Sequence, residues 1–104
     1  MSELKVLIIE DEPVIAENIS MYLNNADFMV SGIAYDDEEA INQLRNNTPD
    51  AVILDINLDS AIDGIQIADF INKNFQLPFL FLTSYSDKET LQRAKVVEPS
   101  GYIV

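Results

Sequence analysis

At 104 residues the chain has the length of one domain, and an apolar content of 48% is enough to form a core. Eighteen Asp and Glu against six Lys and Arg give a formal charge of −12. That charge argues against nucleic-acid or anionic-lipid binding and favours metal cations or basic partners. The chain has neither cysteine nor histidine, which excludes disulfides, thiol nucleophiles, zinc–thiolate sites and imidazole catalysis.

Short β-branched runs alternate with helix-length amphipathic segments. Leu4–Ile9 reads as a first strand, cut off by Glu10-Asp11-Glu12-Pro13. Proline suits a first helical turn and the acids suit its positive end. Ile15, Ile19 and Leu23 recur at spacing four, one face of a helix reaching about Asn25. Phe28–Ala34 is a weaker strand because Gly32 interrupts it. Asp36 and Asp37 can cap a helix carrying Ala40, Ile41 and Leu44, which Asn46-Asn47-Thr48-Pro49 ends.

Ala51–Leu54 is apolar on both faces, the pattern of a central parallel strand. A polar loop from Asp55 to Asp63 leads to a helix from about Gly64, with Ile67, Ala68 and Ile71 inward. Phe79–Leu82 is a fourth strand, closed by Thr83-Ser84. Ser86-Asp87-Lys88-Glu89 reads as a capping box before a helix with Leu91 and Ala94. Pro99-Ser100-Gly101 is a turn, and Tyr102-Ile103-Val104 begins a fifth strand. The order predicts an α/β fold, a doubly wound five-stranded parallel sheet of strand order 2-1-3-4-5. No apolar run is long enough to span a membrane, and no secretory signal is present, so the expected location is cytoplasmic.

In that order the ends of strands 1, 3 and 4 are neighbours. They deliver Glu10, Asp11 and Glu12, then Asp55, then Thr83 and Ser84 to one crevice. Carboxylates gathered there repel unless a cation neutralises them, and hard oxygen ligands suit Mg²⁺ or Mn²⁺. Acids, a divalent metal and a hydroxyl donor make a phosphoryl-handling site, with a central carboxylate as a nucleophile.

Four stretches, Val6–Pro13, Ala51–Leu58 with Asp63-Gly64, Phe81–Ser84 and Gly101–Val104, together resemble a response-regulator receiver domain. The resemblance implies that Asp55 is the phosphoacceptor, charged by a histidine kinase or phosphotransfer protein. It implies Asp11 and Asp55 as direct Mg²⁺ ligands, Glu10 as a ligand through water, and Asn57 as a backbone-carbonyl ligand. It also implies Thr83 as the hydroxyl that turns toward the phosphoryl group and Tyr102 as the aromatic that rotates with it. The domain would assist only its own phosphorylation and dephosphorylation. Its output would fall to an effector, such as a transcription regulator, or to a partner beyond residue 104.

Two departures from the family pattern stand out. The loop Leu58–Gly64 is one residue longer than usual and lacks the usual proline. The family's lysine after the segment matching Gly101–Val104, and the fifth helix that follows, are not in this sequence. The domain at 1–104 is therefore expected to be C-terminally truncated, or its bare face covered by a second copy of the chain. Loss of that cover from strands 1, 3 and 5 would expose about four side chains, worth about 6–12 kcal/mol.

Rival readings are weaker. Asp55-Ile56-Asn57-Leu58-Asp59 opens like an EF-hand loop, but Ser60 and Gln66 replace the required glycine and glutamate. An aspartyl-phosphate phosphohydrolase wants a second Asp where Asn57 stands. The remaining alternative is a receiver-fold interaction module that binds partners without being phosphorylated.

Overall fold

The computed structural model describes residues 4–83 and 87–103. The chain runs β1 (Lys5–Ile9), α1 (Pro13–Asn25), β2 (Met29–Ala34), α2 (Asp37–Asn46) and β3 (Ala51–Asp55). It continues with α3 (Gly64–Asn74), β4 (Phe79–Leu82), α4 (Lys88–Val96) and β5 (Gly101–Ile103). Every strand pairing is parallel and the sheet order is β2-β1-β3-β4-β5, the doubly wound arrangement read from the alternation. No helix among the described residues is long and apolar enough to cross a membrane.

Strand pleating sends alternate side chains to opposite faces. Leu7 and Ile9, Val52 and Leu54, and Phe79 and Phe81 share one face. There they pack with Ala40 and Leu44 of α2, Ile67, Ala68 and Ile71 of α3, and Ala94 of α4. Each such burial is worth about 1.5–3 kcal/mol for the larger side chains. Val6, Ile8 and Ile53 point to the other face, where α1 lies against β1 and buries Ala16.

On this second face Val6, Ile8 and Ile53 of β1 and β3, expected to be exposed without a fifth helix, are buried, yet an apolar cleft of about 370 Å³ lined by Val6, Leu23, Phe28, Ile53, Leu80 and Ile103 runs beside them. Leu80 and Leu82 are half-buried there and Ile103 is 40% exposed.

Helix starts follow the polar residues before them. Asp36 accepts from the Glu39 N–H at 2.8 Å. Asp63 accepts from the Gln66 N–H at 2.9 Å while Gln66 Oε1 accepts from the Asp63 N–H at 3.0 Å, a reciprocal box that the sequence reading did not single out. For α4 the expected cap Ser86 lies outside the described residues, as do Ser84 and Val104. The cap observed is Asp87, which accepts from the Thr90 N–H at 2.7 Å. A carboxylate there makes a charge-assisted bond at the positive helix end, and its pKa is lowered by that bond.

Candidate functional site

Register sets the site. Ile9 lies opposite Leu54, Asp55 opposite Leu82, and Leu82 opposite Ile103, so the carboxyl ends of four strands finish at one edge. Residues just past those ends converge. The Glu10 N–H continues the ladder to the Ala34 carbonyl at 3.0 Å, and the Thr83 N–H does so to the Ile103 carbonyl at 2.9 Å. The cleft between them, about 400 Å³, is lined by Glu10, Asp11, Asp55, Asn57 and Thr83, together with Ile15 and Ile19 of α1.

One oxygen from each of Glu10, Asp11 and Asp55 lies within 4.8 Å of the others. The acids before α1 could instead have served its positive end. Glu12 does occupy the cap position, yet its side chain makes no bond to the helix. Asp55 is fixed from the other side by the Asn57 N–H, which donates to Asp55 Oδ1 at 3.0 Å and tightens the turn after β3. The strand preceding Asp55 also removes the helix an EF-hand requires.

Glu10 is the buried member of the set, only 4% exposed. Burial pushes its carboxyl up to about 8, reinforced by its contacts with Asp55 and Asp11. Its Oε2 is buried with no hydrogen-bond partner. An orphaned carboxylate oxygen facing two further carboxylates is the donor set of a hard divalent cation, so Glu10, Asp11 and Asp55 could hold one.

This arrangement has a consequence for stability. In the unfolded chain Glu10 titrates in the ordinary carboxylate range, whereas in the fold it keeps its proton to about pH 8. The folded state thus binds more protons between those values, and Glu10's contribution to stability falls as pH rises from about 4.5 to 8. Urea midpoints measured in chelator across that window should decline for the native chain. Glu10→Gln should flatten the decline; an identical slope in both would show that Glu10 is not its source.

Tyr102 stands apart. It lies on β5 outside the cleft, with its ring 6.2 Å from that of Phe81 on the α4 side of the sheet. The cleft neighbour from β5 is Ile103. Ile103, read in the sequence only as part of a strand, lines the cleft, and Gly64 of the Asp63-Gly64 pair sits against the Asp55 carbonyl.

Comparison with known proteins agrees with this fold. The family model for the response regulator receiver domain matches residues 6–104, and the chain belongs to that family. It is 31% identical over 100 residues to the transcriptional regulatory protein PdtaR of Mycobacterium tuberculosis, covering 96% of this chain and 48% of PdtaR. Identity to the oxygen regulatory protein NreC of Staphylococcus haemolyticus is 30% over 103 residues, covering 97% and 48%. The chain thus spans about half the length of these relatives. Among solved structures it is similar to the signal receiver domain of a modulated diguanylate cyclase from Desulfovibrio desulfuricans G20. The two share 36% identity at a TM-score of 0.92, covering 98% of this chain and 81% of that one. Similarity extends to the chemotaxis protein CheY4 of Vibrio cholerae, at 27% identity and a TM-score of 0.87 over 99% and 87% of the two chains.

Proposed function

We propose that this domain is a cytoplasmic phosphoacceptor switch of a two-component pathway, phosphorylated on Asp55 by a histidine kinase or phosphotransfer protein. The observation that carries the reading is the meeting of Glu10, Asp11 and Asp55 within 4.8 Å, in a cleft that Thr83 also lines. A Mg²⁺ ion held by Asp11, Asp55 and the Asn57 carbonyl, with Glu10 behind a water, would neutralise charge beside the incoming phosphoryl group. Asp55 supplies the nucleophile. One carboxylate oxygen forms the O–P bond as the donor's N–P bond breaks, the electron pair leaves with the imidazole, which takes up a proton, and Asp55 carries an acyl phosphate. The Asn57 N–H orients the attacking carboxylate. Thr83, one strand over, turns its hydroxyl to the new charge, and Tyr102 reports the change on the α4 side by shifting against Phe81. The domain itself turns over no other substrate. Its output passes to an effector, a transcription regulator being one such class, or to a partner protein.

Mass spectrometry after incubation with a small phosphodonor tests the reading. Uptake of one phosphoryl group with Mg²⁺ and none with chelator is expected. No uptake in either condition would leave the alternative, a receiver fold that works as a binding module.

Mg²⁺ should also raise the melting temperature of the free chain, because it binds the folded site and not the unfolded chain. At a hundredfold excess over Kd the gain is about 2.7 kcal/mol. Asp11→Ala should erase most of it, and an equal shift in both proteins would argue against a metal in this cleft.

A further inference from the structure

Away from the phosphoacceptor cleft, a groove of about 670 Å³ runs between α3 and α4. Its floor is apolar, formed by Ile62, Ile65 and Phe70 on one side and Val97 on the other, with Val96 on the rim at 80% exposure. The charges around it are unlike those elsewhere. Of the chain's six cations, Lys73 and Arg93 line the groove, and the Arg45 guanidinium lies 5.8 Å from the centroid of the Phe70 ring. Each of the first two touches one acid, Lys73 to Asp69 at 2.9 Å and Arg93 to Asp63 at 3.1 Å. Half of the basic residues therefore gather at or beside this groove, on a chain of charge −12.

The spacing is also defined. Arg93 is anchored at Asp63, the cap of α3, and Lys73 sits in the last turn of that helix. The Lys73 ammonium lies at Asp69, six residues of helix beyond Asp63, about 9 Å. A third helix laid in the groove would meet these cations with acids at positions i and i+7, about 10 Å apart and on one face. Aliphatic side chains at i+3 and i+4 would fall between them, over the apolar floor. None of the four described helices of this chain carries two acids at that separation, so a second copy does not supply the match.

We propose that the groove between α3 and α4 docks an acidic amphipathic helix of a partner protein, about three turns long. Its carboxylates stand seven residues apart, meeting Arg93 and Lys73, and its aliphatic side chains fill the floor between. The proposal does not depend on phosphorylation, and its test uses the unphosphorylated chain.

The probe is a labelled synthetic peptide of about 18 residues, helical by composition, with Glu at i and i+7 and Leu at i+3 and i+4. A second peptide carries Lys at both Glu positions. Non-specific attraction to so acidic a protein would favour the basic peptide. The proposal requires the reverse: at low ionic strength the acidic peptide should bind about tenfold or more tightly, and should shift amide resonances on α3 and α4. Lys73→Glu with Val96→Glu, both at exposed positions, should weaken binding of the acidic peptide at least about tenfold while leaving the circular dichroism unchanged. Tighter binding of the basic peptide would overturn the proposal, as would resonance shifts confined to α1 and β5. No binding of the acidic peptide at about millimolar concentration, or equal affinity for the native chain and the double variant, would do the same.

Discussion

Asp55→Asn is expected to lose phosphoryl uptake completely and to keep the fold. Asparagine has the same shape, and its side-chain oxygen can still accept from the Asn57 N–H, so the turn after β3 survives. What disappears is the anionic oxygen that attacks phosphorus, which no amide replaces. The variant also removes one of three crowded carboxylates, and the metal-free protein should gain stability. The gain should be about 1–3 kcal/mol, within the ~4 kcal/mol that two unit charges 4 Å apart feel near a protein surface. Because Asp55 helps to hold the proton on Glu10, that pKa should fall in the variant. Phosphoryl loading of Asp55→Asn at the native rate, read by intact mass, would take Asp55 out of the role.

The sheet was legible in the sequence because its central strands are apolar on both faces. Val52-Ile53-Leu54 and Phe79–Phe81 admit few other placements once helices flank them. The site was legible for the same reason: strand ends in a doubly wound sheet meet at a fixed edge, which brings Glu10, Asp11, Asp55 and Thr83 together. Side-chain direction was less accessible. Tyr102 and Ile103 are neighbours in sequence, but the pleat sends the first to the Phe81 side and the second to the cleft. The depth of burial was not accessible either: the spacing of apolar residues gives the helices, but not that Val6, Ile8 and Ile53 are covered. Capping by Asp87 in place of Ser86 turns on a choice between adjacent polar residues that periodicity does not make.

Gly64→Ala is expected to damage both stability and phosphorylation, though Gly64 carries no chemistry. A Cβ built on Gly64 would lie 1.9 Å from the Asp55 carbonyl oxygen and 2.9 Å from its carbon, with the Ile56 Cα at 3.1 Å. All three are backbone atoms, so no rotamer change relieves the clash. Either the start of α3 withdraws, straining the Asp63–Gln66 box and the Arg93 contact, or the Asp55 peptide turns and carries its carboxylate away from Glu10 and Asp11. The cost should be about 1–3 kcal/mol of stability. A displacement of about 1 Å in a reacting group can cost about a hundredfold in rate, so slow phosphoryl uptake should accompany it. Gly32→Ala is the matched control. Its Cβ would meet the end of the Gln43 side chain at 2.5 Å, a group that can swing aside, and it stands away from the cleft. Denaturant midpoints and phosphorylation rates for the two variants decide the point. If Gly64→Ala loads phosphate and unfolds like Gly32→Ala, the close approach of α3 to Asp55 is not what positions the carboxylate.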